Sequence, residues 1–219
     1  IEVRYFWVLK LNSQGDTLWS NEYGIPNSYN TLADAVHTDD GGYMLAGTQN
    51  YGGGGTQDRD VIIIKIDSIG SQQWIKDIGR RDSTSNQNLD ESAYAVDQTS
   101  DGGYVIIGHA WNAITSFNTL LIRTNSVGDT LFTKYILGTA GGNSQPFDVQ
   151  ETSDYGYVII EEGYMGGSCA LIKTDVWGNE QWRISHSGIK QVYETSANGF
   201  ILLGDGSIWG IDISYQIQP

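Results

Sequence analysis

A chain of 219 residues, 39% hydrophobic and 11% aromatic, is long enough to bury the core of one ordinary domain and too aromatic to stay disordered. Its 26 acidic against 12 basic residues give a formal charge of −14, which repels phosphate backbones and anionic lipid and argues against nucleic-acid or membrane-surface partners. A single cysteine, Cys169, rules out an internal disulfide and any multi-cysteine metal site, and no run reaches the roughly 20 apolar residues of a membrane-spanning helix.

Glycine is abundant (28 residues) and proline scarce (3), a balance that suits many strands joined by tight turns. Two phrases alternate along the chain. One reads GGYMLAG at Gly41–Gly47, GGYVIIG at Gly102–Gly108, GYVIIEEG at Gly156–Gly163 and GFILLG at Gly199–Gly204. The other begins WVLKLNSQGDTLW at Trp7, VIIIKIDSIGSQQW at Val61, LLIRTNSVGDTLF at Leu120 and ALIKTDVWGNEQW at Ala170. Its turn glycines, Gly15, Gly70, Gly128 and Gly178, are separated by 55, 58 and 50 residues. Repeats of that length made of short strands predict the blades of a β-propeller.

In chain order, residues 1–31 supply two strands, 32–79, 92–137 and 146–187 supply whole blades, and 190–213 supply a closing set. The third unit shows the pattern: Ser92–Thr99, Gly103–Ala110, Thr119–Asn125 and Asp129–Ile136, here named a, b, c and d. Strands b and c are nearly continuous aliphatic runs, as expected where both faces are covered. Strand d carries an aromatic at a fixed place, Trp19, Trp74, Phe132 and Trp182, one wedge between sheets per blade. Asp-Gly-Gly and its variants join a to b. Asn/Asp-X-X-Gly joins c to d, with the Asx capping its own turn rather than binding calcium.

The Asp-X-X-Gly-X-X-X-Trp pattern resembles the tryptophan-docking repeat of PQQ-like (quinoprotein-type) β-propellers. The fuller pattern, DGGYVIIG followed by LLIRTNSVGDTLF, is similar to the repeat propellers of large secreted bacterial and archaeal proteins. The resemblance implies an all-β propeller and an extracellular or cell-surface location. The opening at Ile1, without Met or leader, suits a processed secreted product. The spacing is a residue shorter than in quinoproteins, the repeats are too few for their eight-bladed ring, and their paired cysteines are absent, so no cofactor is expected.

The predicted strands number four a, four b, five c and four d. Four antiparallel blades of four, with the ring closed by strands from both termini, need sixteen. Phe6–Asn12 and Ile208–Ile213 compete for one c position. The surplus strand either lies at the margin, or the chain is part of a larger propeller, or the strand pairs with another copy and builds filaments.

The regular a–b and c–d turns mark one face as scaffold. The irregular b–c and d–a loops, 51–60, 80–91, 110–118, 138–145 and 163–168, mark the other as the binding face. Candidate contacts there are Tyr51, Arg59, Arg80, Arg81, Asp82, Trp111, Asn112 and Tyr164, aromatic and polar groups suited to a glycan. Catalysis has little support. His37, His109 and His186 lack metal-pair spacing, and no nucleophile elbow or phosphate loop occurs. A carboxylate pair for glycoside cleavage would have to come from Asp58, Asp60, Asp82, Glu91, Glu161 or Glu162. Glu161 and Glu162 are the oddest, because they break the strand-b phrase. The expectation is a non-catalytic propeller for adhesion, scaffolding or self-assembly, or else a carbohydrate-binding or carbohydrate-active one, with itself or glycans as partners.

Overall fold

In a computed structural model of the chain, the residues described are 4–50, 59–79, 90–112, 116–138, 144–163, 169–186, 188–196 and 199–204. They form sixteen strands in five antiparallel sheets. The first sheet pairs β1 (Phe6–Leu11) with β2 (Thr17–Tyr23). Three four-stranded meanders follow. The first is β3 (Tyr29–His37), β4 (Tyr43–Asn50), β5 (Arg59–Ile66) and β6 (Gln72–Ile78). The second is β7 (Asp90–Gln98), β8 (Tyr104–Asn112), β9 (Ser116–Thr124) and β10 (Thr130–Ile136). The third is β11 (Ser144–Glu151), β12 (Tyr157–Gly163), β13 (Cys169–Thr174) and β14 (Glu180–His186). The last sheet pairs β15 (Ile189–Glu194) with β16 (Phe200–Gly204).

The four-strand a-b-c-d blade is thus present three times, flanked by a c–d half at the start and an a–b half at the end. Among the described residues the two end sheets share no pairing with each other and no closed ring forms. The predicted fifth c strand, Ile208–Ile213, lies outside the described residues.

Side-chain alternation makes the blades stack. On β4 and β5, Met44, Ala46, Val61 and Ile63 face the second blade and join Val96, Ile106, Leu120 and Ile122 in one buried cluster. Their neighbours Leu45, Ile62 and Ile64 point the other way, onto Phe6 and Tyr23 of the first sheet. The pattern repeats between the second and third blades through Ile107, Leu121, Ile159 and Ile172, and between the third blade and the last sheet through Ile160, Leu171, Ile189 and Val192. A strand covered on both faces needs apolar residues at every position, which is why b and c read as continuous runs.

The c–d turns are built by their Asx residues. The Oδ1 of Asn12, Asp67, Asn125 and Asp175 each accepts two backbone N–H groups, two and four residues on, at 2.8–3.1 Å. The turn glycine closes the loop at φ +88, +82, +80 and +76 for Gly15, Gly70, Gly128 and Gly178, a region where a side chain is strained. This agrees with the capping role read from the sequence.

The aromatic wedges also stand where the pattern placed them. Trp19, Trp74 and Trp182 each meet the first strand-b aromatic of the following sheet edge-on: Tyr43 at 6.5 Å, Tyr104 at 6.3 Å and Phe200 at 5.7 Å. Phe132 packs against the cluster that holds Tyr157.

Candidate functional site

The predicted loop face was drawn too wide. Arg59 opens strand β5 opposite Asn50, and Trp111 and Asn112 belong to β8, opposite Phe117 and Ser116. The high strand propensity of residues such as Trp111, Phe117 and Thr119 carries this ladder past the expected hairpin end. Tyr51, Arg80, Arg81, Asp82 and Tyr164 lie outside the described residues.

Two of the predicted residues converge. The Arg59 guanidinium forks onto the carboxylate of Asp90, through Nε and Nη2, and Asp90 is the cross-strand partner of Trp111. The Asp90 side chain is 2% exposed while that of Arg59 is 38% exposed. The carboxylate is therefore neutralised from within and the guanidinium keeps an outward edge. Pairing with Asp90 raises the Arg59 pKa. Tyr94 stands beside it, its hydroxyl 3.0 Å from Nδ1 of His109. Burial, reinforced by the Arg59 charge, pushes His109 down to about 4, so its ring is neutral at physiological pH.

A cleft of about 410 Å³ opens here between the first and second blades, lined by Tyr29, Thr31, Thr48, Asn50, Arg59 and Tyr94 among others. Its aromatic rings, hydroxyls, amide and guanidinium edge suit a polar, neutral or anionic ligand.

The candidate acids go elsewhere. Asp58 and Asp82 lie outside the described residues. Asp60 is 4% exposed, packed so closely against Gly79 that a side chain there would collide with its carboxylate. Glu91 is also 4% exposed and accepts the Tyr135 hydroxyl at 2.9 Å, beside a cleft of about 420 Å³ that Asp77 also lines. Glu161 is fully buried, accepts the Thr119 hydroxyl at 2.8 Å and pairs with Arg183 at 2.8 Å. Arg183 in turn holds Glu180 and the Leu137 carbonyl. Glu161 thus ties the third blade to the second. Glu162 stays half-buried. Among the described residues no cluster of three or more His, Cys, Asp or Glu is placed to hold a metal ion. Cys169 is buried and unbridged.

One feature was missed in the sequence although its signal is there. The next-to-last residue of each c strand is basic: Lys10, Lys65, Arg123 and Lys173. In the three whole blades this residue is buried and forks onto the Asp of the a–b turn. Lys65 reaches Asp40 at 2.8 Å, Arg123 reaches Asp101 at 2.6 Å and Lys173 reaches Asp154 at 2.9 Å. A Thr two residues before each Asp adds its hydroxyl, from Thr38, Thr99 and Thr152. The Lys65 and Thr38 bonds hold Asp40 at about 2. Burial works against Asp101, but the Gly103 N–H, Thr99 and Arg123 bring it down to about 2.

No protein-family model matches the chain, and no curated protein matches it significantly.

Proposed function

We propose that the chain is a secreted or cell-surface, non-catalytic scaffold of propeller type, whose work is to join copies of itself through blades completed by strands from more than one end. The observation that carries this reading is the pair of terminal half-sheets. One end supplies c and d, the other a and b, so together they hold the parts of one further blade. Both keep large apolar side chains on their outer faces: Trp7, Leu9 and Leu11 at one end, Tyr193, Ile201 and Leu203 at the other. Apolar sheet faces whose edge strands have no further ladder partner among the described residues favour strand addition. The relation to quinoprotein-type propellers rests on the repeated turn and d-strand aromatic. Light scattering of the purified chain over a concentration series, with electron microscopy of the same samples, tests the reading. Concentration-dependent rings or fibres are expected, and a particle that stays near 24.1 kDa at every concentration overturns it.

A second reading is favoured by the cleft at Arg59. Tyr29, Tyr94 and Asn50 offer stacking faces and an amide to a glycan. A glycan array, followed by titration calorimetry with an Arg59→Ala control, tests it. Silence on the array, or binding unchanged by the substitution, removes it.

A further inference from the structure

The blade junctions contain a contact that the chain makes three times. The c–d turn of each whole blade seats its glycine on the d strand of the sheet before it. A Cβ at Gly70 would lie 2.9 Å from the Trp19 ring, one at Gly128 would lie 2.7 Å from the Trp74 ring, and one at Gly178 would lie 3.0 Å from the Phe132 ring. Glycine is needed there for fit as well as for its positive φ. Polar arms lock all three seats: Asn21 donates to the Gly70 carbonyl at 3.0 Å, Lys76 donates to Asp129 at 2.8 Å and Lys134 donates to Asn179 Oδ1 at 3.0 Å.

Among the described residues, one knob and one hole remain. Gly15, the turn glycine of β1–β2, has the same conformation at φ +88, yet among the described residues nothing comes within 4 Å of where its Cβ would stand. At the opposite end of the stack, Trp182 is met by Phe200 on one side, and a cleft of about 580 Å³ opens beside the two rings, bounded by Asp154, Lys173 and Glu194. By the rule of the other three junctions, that cleft takes a c–d turn.

The sheet edges agree with the turn. In every whole blade the b and c strands pair in one register: Tyr43 opposite Ile66, Tyr104 opposite Thr124, Tyr157 opposite Thr174. Strand β16 is a b strand whose described residues pair only with β15, and β1 is a c strand whose described residues form a ladder only with β2. The shared register sets Phe200 opposite Leu11, Leu202 opposite Leu9 and Gly204 opposite Trp7. The faces match too. Leu9 and Leu11, exposed in the single chain, would then share the side on which Phe200 and Leu202 already pack against the third blade. Ile201 and Leu203 would share the side of Phe6 and Val8, which pack on the first blade. The charges also fit: the fourth a–b turn carries Ala197 where the others carry Asp, and Lys10 already donates to the Ser68 carbonyl at 2.9 Å.

We propose that β1–β2 of one copy docks on the exposed end of a second copy, its Gly15 turn in the Trp182 cleft and its β1 edge paired with β16, giving a head-to-tail chain of copies. This rests on the scaffold reading above and names its interface. Among the described residues the two terminal sheets do not pair within one chain, and they stand first and last in the order of stacked sheets, so a heterologous contact that repeats from copy to copy uses both.

Cysteine pairing tests the register. In a Cys169→Ala background, a Leu9→Cys chain is mixed with a Leu202→Cys chain and oxidised, then resolved without reductant and mapped by mass spectrometry. Residues opposite each other across a ladder stand at disulfide distance. The expected result is a 9–202 link between the two chains, at least about ten-fold above a Leu9→Cys plus Leu203→Cys mixture. A Leu9→Cys/Leu202→Cys chain that links only within itself, with no link in the mixture, means ring closure by its own ends and overturns the proposal. Assembly seen by light scattering without the 9–202 link overturns the proposal and leaves the scaffold reading standing. A monomer with no link overturns both. As an independent arm, Ile201→Lys, at a position 54% exposed in the single chain, is expected to abolish assembly while leaving the circular dichroism spectrum and melting temperature unchanged. Assembly undiminished by this change also overturns the proposal.

Discussion

The junction between the first and second blades and the outer face of β1–β2 are written in the same residues and have opposite surroundings. Leu120 and Ile122 stand buried at the junction, while Trp7 and Leu9 occupy the equivalent c-strand positions in β1 at 61% and 38% exposure. The repeat fixes which side chains are apolar, but burial depends on whether a neighbouring sheet exists. An apolar strand at the end of a stack is therefore an interface in waiting, whereas in the middle it is core.

The largest expected effect tests that contrast directly. Leu120→Ala removes a fully buried side chain from the junction cluster and should cost about 2–5 kcal/mol in urea unfolding. Leu9→Ala, at dilutions where the chain is monomeric, should cost no more than about 0.5 kcal/mol. Equal losses would mean that the outer face of β1 is covered within the single chain.

The next effect sets one junction against another. The second and third blades are joined by apolar packing plus the Glu161–Arg183–Thr119 link, where the first and second have glycine at the equivalent strand position, Gly47 and Gly108. Glu161→Ala leaves Arg183 with Glu180 but without its buried partner, and a loss of about 3 kcal/mol is expected. Denaturant titration of Glu161→Ala and of an Arg183→Met/Glu161→Met pair checks this. The double variant should recover most of the loss, and no recovery would show that Glu161 serves as more than an ion-pair partner.

How much of this was legible follows the same division. The strands, the capped c–d turns and the d-strand aromatics were readable because each depends on residues close in sequence, repeated four times. The partner of Glu161 was not. Its oddity showed as a broken phrase, but Arg183 meets it two strands away and Thr119 reaches it from the preceding blade. Arg59 was placed in a loop for a related reason. Its strand is held by the fork to Asp90, 31 residues on, across residues whose pattern carries no periodic signal. The buried base of the c strand in each whole blade was visible as a repeated Lys or Arg. Its meaning was not, because a charge in an apolar run gains its partner from the a–b turn, and only the register of b on c brings the two together.

The last two predictions compare the buried histidine of the loop side with the carboxylates of the turn side as the pH falls. His109 binds a proton near 6.5 in the unfolded chain and near 4 in the folded one. The unfolded state therefore takes up the proton first, so stability is full above about pH 6.5 and drains as the pH falls through 4, by up to about 3 kcal/mol. Urea midpoints measured from pH 7.5 to 4 should show this slope, and His109→Phe should flatten it. The turn carboxylates respond later. Asp40 and Asp101 are held near 2 against an ordinary 3.8, so their contribution is present above about pH 4 and is lost between 4 and 2. Both carboxylates are more than half exposed, so solvent screens them, and Asp40→Asn should cost no more than about 1 kcal/mol at pH 7. If stability instead fell in a single step below pH 4, with no slope above it, the ring of His109 would be reaching solvent in the folded chain, and the Arg59 cleft would be a wetter and more open site than its packing implies.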